Sequence, residues 1–189
     1  MFNKINKKIF FRAFSILAIL LLISSSLIAV INLYRPPIKE VIMQTQVAKN
    51  NRVVINTSQT AFKKQVTQAA DTWNKDLKRQ LFMINNHEKP TIVIYDLANK
   101  QIKQLLKNRD YGEHILAATG KGVVYVNASF MDQTDNRDLL VPVIEHELGH
   151  VIGLKHIDGD ALMNASIQPT SYITKYDLKV ARYILLHNH

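Results

Sequence analysis

The 189 residues predict a small α+β domain carried behind an N-terminal transmembrane helix. Three observations lead there. Ala13 to Ile31 reads AFSILAILLLISSSLIAVI, without a charge. Further on, short β-branched runs are interspersed with segments whose apolar residues recur at helical spacing. One of those helical segments runs into HELGHVIGLKH, His146 to His156.

The apolar run reaches about 28 Å as a helix, close to the ~30 Å hydrocarbon core of a bilayer. Lys4, Lys7, Lys8 and Arg12 precede it, and no acidic residue does. By the positive-inside rule residues 1–12 form a basic cytoplasmic N-terminus, 13–34 a signal-anchor, and the rest lies outside the cell. The alternative is a signal peptide cut near Ser24-x-Ser26 and a secreted product. Its apolar region would be ~7–15 residues, so the length favours an uncleaved anchor.

The net charge of +9 suggests nucleic acid until it is divided. Residues 1–50 hold seven Lys/Arg and one acid; residues 51–189 hold seventeen and fourteen. Most of the excess belongs to membrane topology, and no basic stripe remains, so no nucleic-acid partner is expected. Cysteine is absent, which excludes disulfides, thiolate ligands and a thiol nucleophile.

RPPIKEVIMQTQVAKNN, stiffened by Pro36-Pro37, is the body of a linker assigned to residues 35–50. Residues 51–189 form the domain. RVVIN (52–56) is a short strand. Phe62, Val66, Ala69, Ala70, Trp73 and Leu77 mark a helix within 60–81, with Ser58 as N-cap. TIVIYDL (91–97) is a strand, and 101–108 a short helical piece. GVVYVNASF (122–130) is a strand, joined through Gly120-Lys121-Gly122 to ILAAT (115–119) as a hairpin. The polar loop MDQTDNRD leads to the helix LLVPVIEHELGHVIG, with Asp138 as N-cap and Pro142 in the first turn. Asp132, Asp135 and Asp138 lack EF-hand spacing, so calcium is possible but unsupported. Ile173 to Leu186 is a last amphipathic helix, capped by Thr174.

His146 and His150 are i and i+4. Four residues turn ~400°, so both imidazoles lie on one helix face and can hold one metal ion. Gly153 can take positive φ, end the helix and turn the chain back. His156 then arrives as a third nitrogen ligand. Three neutral histidines leave tetrahedral zinc one open position, which is a catalytic arrangement. Glu147, one step round the helix, is placed to act as general base on a water, and amide hydrolysis suits that chemistry. HExxH alone arises by chance on amphipathic helices, but the full HExxHxxGxxH is matched. His87 and His114 read as solvated, and His187 and His189 as a frayed end.

HELGHVIGLKH is similar to the zinc signature of the metzincin metalloproteases. DALMNAS resembles their Met-turn, which would place Met163 under the zinc. The short gap from His156 and the wording ALM resemble the matrixin branch. QAADTWNK looks like that branch's first helix, TIVIYDL and GVVYVN like sheet strands, and ILAATGKG like the edge strand over the active site. TKYDLKVARYIL looks like the last helix, whose Asp177 would tie to the Met-turn backbone. The resemblance spans about 51–189 and implies a twisted mixed sheet with an active-site helix and a C-terminal helix. It implies a monomeric zinc endopeptidase acting on a peptide or protein substrate, with Ile115, Leu116, Ala117 and Ala118 binding substrate. Asn164-Ala165 depart from the usual tyrosine and proline of the Met-turn. A cysteine switch, a propeptide and the ligands of a second, structural zinc are not evident. The rival from another class is a binding or scaffold domain that keeps zinc for stability.

Overall fold

The computed structural model describes residues 35–43, 51–85, 87–106, 115–159 and 161–187. The expected signal-anchor at 13–34 lies outside them. Among the described residues no helix is long and apolar enough to cross a membrane.

The strands are β1 (Val53–Gln59), β2 (Phe82–Ile84), β3 (Ile92–Leu97), β4 (Ala117–Gly120) and β5 (Val123–Asn127). The helices are α1 (Lys63–Leu77), α2 (Asn99–Leu105), α3 (Ala128–Met131), α4 (Leu140–Ile152) and α5 (Lys175–His187). Short 3-10 turns cover Ile38–Val41 and Thr134–Leu139. One five-stranded mixed sheet runs β2-β1-β3-β5-β4. The pairs β1–β2, β1–β3 and β3–β5 are parallel, and only β4–β5 is antiparallel. The α+β expectation is thereby refined to a mixed α/β layout, because helices fall between strands and a parallel pair needs a crossover connection.

The hydrophobic core joins the sheet to α1 and α4. Val53, Ile55, Ile92, Ile94, Val124 and Val126 share one buried cluster with Val66 and Trp73 of α1 and Ile144, Leu148 and Val151 of α4. Burying each such side chain stabilises by about 1.5–3 kcal/mol. Trp73 is fully buried, and its indole N–H donates to Glu145 O at 2.8 Å, tying α1 to α4.

The helix starts correct two expectations. Ser58 is not the cap of α1; it remains in β1. The N-cap position is Phe62, without a side-chain cap, and Thr60 braces the chain before it: its Oγ1 accepts from Phe62 N at 3.0 Å and donates to Asp96 Oδ1 at 2.6 Å. Asp138 does not cap α4, because the 3-10 turn over Thr134–Leu139 feeds straight into the helix. Thr174 is the expected cap of α5. Its Oγ1 accepts from Asp177 N at 3.2 Å, while Asp177 Oδ2 accepts from Thr174 N at 2.8 Å. The hairpin turn matches the reading of Gly120-Lys121-Gly122, with Gly122 at φ 76°. The predicted helical piece at 101–108 is α2, displaced towards the N-terminus. Residues 36–43, read as linker, are instead docked on the domain: Val41 is 5% exposed.

Candidate metal centre

α4 positions two of the three histidines by its own periodicity. It stops at Gly153, whose φ of 119° is open to glycine and strained for other residues. Gly153 N–H and Leu154 N–H both donate to Gly149 O, at 3.1 and 3.0 Å, closing the helix. The chain then reverses and brings His156 back over the helix end.

One ring nitrogen from each of His146, His150 and His156 lies within 4.8 Å of the others. His156 Nε2 is 3.1 Å from both His146 Nε2 and His150 Nε2. Backbone carbonyls fix the tautomers of the other two rings. His146 Nδ1 is 2.7 Å from Leu162 O, and His150 Nδ1 is 2.8 Å from Leu154 O. A carbonyl only accepts, so each Nδ1 carries the proton and each Nε2 presents a bare lone pair. His156 can offer at most one Nε2 proton, so it cannot satisfy both neighbours. A cation can. Nitrogens bound to tetrahedral zinc at ~2.0–2.1 Å stand about 3.3 Å apart, near the spacing found here. The three residues therefore fit a metal ion. Among the described residues, they are the only group of three or more His, Cys, Asp or Glu that could hold one. Asp132 and Asp138 are exposed, and the side chain of Asp135 lies outside the described residues.

The electrostatics suit ligation by neutral imidazole. Burial lowers His146 to about 3, and the neighbouring His150 and His156 add to this against the Leu162 hydrogen bond. His150 and His156 are lowered too, again mainly by burial.

Glu147 is 6% exposed. Burial pushes its carboxyl up to about 7, and a hydrogen bond from Thr119 pulls the other way. The Thr119 hydroxyl donates to Glu147 Oε2 at 2.5 Å. Thr119 is in β4, so the edge strand touches the carboxyl directly. Nothing in the sequence singled out Thr119.

Met163 is fully buried and packs against Gly149 of α4. Its turn is held by Ile157 N–H to Met163 O at 2.9 Å and by Asn164 N–H to Ala161 O at 3.2 Å. Asp177 Oδ2 accepts from Leu162 N at 3.2 Å, so the expected tie from the last helix is present. Gly149 makes room for Met163: a Cβ at Gly149 would sit 2.4 Å from Met163 Sδ. That requirement was invisible in the sequence, where Gly149 is just the second residue of the motif's spacer.

Beside the histidines lies a cleft of about 660 Å³. His146, Glu147 and His156 form one wall, and Ile115, Leu116 and Ala117 another. Phe130, Leu139, Val143, Ile167 and Pro169 make it apolar. Ala118 does not line it. Successive strand residues face opposite ways, and the face of β4 that carries Thr119 and Ala117 is the one turned to Glu147. Asn127 sets the approach to β4. Its Nδ2 donates to Ile115 O at 2.7 Å, and its backbone N–H donates to Leu116 O at 2.9 Å. The two other histidines within the described residues stand outside the centre; His87 is exposed, and His187 stacks on Tyr183 with ring centroids 4.1 Å apart.

No known protein-family model matches the chain, and no curated protein matches it either.

Proposed function

We propose that this chain is a zinc-dependent endopeptidase of the metzincin type, with a matrixin-like pattern, anchored in the cell membrane with its domain outside. One observation carries the reading: three Nε2 atoms converge within 4.8 Å beside the buried carboxyl of Glu147. His146, His150 and His156 would hold the ion, with Met163 packed beneath. Zinc bound there supplies Lewis acidity, acidifying a water molecule and polarising a substrate carbonyl. Glu147 takes the proton from the attacking water and passes it to the leaving amine nitrogen. β4 ends the sheet, so its outer edge offers N–H and C=O groups to an extended peptide. The apolar cleft takes a medium or large apolar side chain just after the cut.

The alternative is a zinc-stabilised binding domain without turnover. Zinc ligation alone has no use for a buried Glu147, which favours the peptidase. The test is to incubate the purified chain with a mixed peptide library, with and without chelator, and read cuts by mass spectrometry. Chelator-sensitive cuts before apolar residues are expected. A fully zinc-loaded protein that cuts nothing would favour the binding domain. Membrane anchoring rests on residues 1–34 of the sequence, and protease added to intact cells should digest the domain. Complete protection until lysis would reverse the topology, and a mature chain starting near Leu27 would indicate a secreted protein.

A further inference from the structure

Residues 36–43 fall in the stretch read as a spacer, yet the domain binds them. Ile38 and Ile42 pack against the core, and Val41 is buried within it. Ile42 forms an antiparallel bridge with Leu154. Met43 N–H donates to Gly153 O at 2.8 Å, and Lys155 N–H donates to Val41 O at 2.8 Å. Lys155 Nζ reaches Glu40 O at 3.3 Å, and the Tyr176 hydroxyl donates to Pro36 O. Leu154 is therefore clamped on both flanks. Its own carbonyl is the acceptor that orients His150 Nδ1 at 2.8 Å. Two residues later the same chain delivers His156.

We propose that residues 36–43 are a positioning strap for the metal centre: they hold the turn that orients His150 and places His156, and so set metal affinity. This rests on the metal reading above. The turn begins at Gly153, the residue type with the widest conformational freedom. Undocked, the turn samples arrangements that do not present His156, and apparent affinity falls in proportion to the competent fraction. Loss of one backbone hydrogen bond shifts such a population by a few-fold to about tenfold. Linkage requires the converse: bound metal strengthens strap docking by the same factor.

The experiment uses the full chain and zinc alone. Zinc affinity is measured by competition with a chromophoric chelator for wild type, Met43→Ala and Met43→Pro. Alanine keeps the N–H to Gly153; proline removes it. Ile42 is already extended at φ −105° and ψ 132°, a conformation accepted before proline. Met43→Pro should bind zinc about 3–10-fold more weakly, and Met43→Ala should match wild type. Independently of any variant, hydrogen exchange of the Met43 and Lys155 amides in wild type should slow when zinc binds. Unchanged affinity in a folded Met43→Pro, or exchange indifferent to zinc in wild type, overturns the strap's role alone. Wild type that binds no zinc overturns the metal centre and the strap's role with it.

Discussion

Gly149→Ala should destabilise the protein, although alanine is the better helix former. In a helix interior this exchange normally stabilises by about 0.5–1 kcal/mol. Here the added Cβ meets Met163 Sδ at 2.4 Å, Met163 Cε at 3.2 Å and Trp73 Cζ2 at 3.4 Å. Met163 is flexible at its far end, but it is fully buried and has no solvent to swing into. Overpacking of this kind costs about 1–3 kcal/mol, so after the helix gain the net loss is up to about 2.5 kcal/mol. For a chain of this size that lowers Tm by up to about 10 °C. The assay is thermal unfolding of zinc-saturated protein followed by circular dichroism. A Met163→Val background removes the clashing sulfur, and there Gly149→Ala should become neutral or stabilising. A rise in Tm in the wild-type background would refute the reasoning, because helix propensity would then have outweighed the contact.

Thr119→Val should slow peptide cleavage about tenfold or more while zinc content stays full, and Thr119→Ser should restore it, since a hydrogen bond to a charged group is worth about 1.5–3 kcal/mol; equal rates for Val and Ser would remove the hydroxyl from the mechanism. Asp177→Ala should cost about 3 kcal/mol in denaturant unfolding, because it strips the buried Leu162 N–H of its acceptor and undoes the start of α5; a loss below 1 kcal/mol would contradict this. Acid should weaken the apo fold. The imidazole of His146 is lowered from 6.5 to about 3, so below pH 6.5 the unfolded chain takes up a proton that the folded chain refuses. Glu147, raised from 4.5 to about 7, works the other way down to about 4.5, so the net loss comes as pH drops from about 4.5 towards 3. A denaturation midpoint that is flat across that range would contradict the buried neutral site.

The three histidines of the candidate centre were legible because α-helical periodicity and one glycine fix their geometry locally. His146 and His150 needed only the 3.6-residue period, and Gly153 needed only its positive φ. The β4–β5 hairpin was legible for a similar reason, its turn being spelled out by Gly120 and Gly122. Thr119, Gly149 and the strap were not legible, because each depends on a contact between distant segments. Thr119 meets Glu147 across 28 positions, and nothing in AATG marks a partner. Gly149 is required by Met163, which the chain returns only after the turn at His156. The 36–43 segment was read as a spacer together with the polar run that follows it, and its ties to the domain include backbone N–H and C=O groups that no side-chain pattern reveals. Strand direction was hidden for the same reason: β1, β3 and β5 are apolar runs whichever way they pair. The caps at Ser58 and Asp138 failed because each is a good capping residue in a segment that tertiary structure had already committed, one to a strand and the other to a 3-10 turn.

The most direct test of the account is a paired measurement on wild type and Glu147→Gln. Zinc content is determined by metal analysis of the folded protein, and cleavage is followed on a peptide taken from the library cuts. Glutamine keeps the shape and cannot accept the proton, so removing the base should slow cleavage by about 10²–10⁴-fold. Both proteins should hold one zinc and unfold at similar temperatures. Cleavage by Glu147→Gln at near the wild-type rate, or zinc retained by a His150→Ala, His156→Ala double variant, would contradict it.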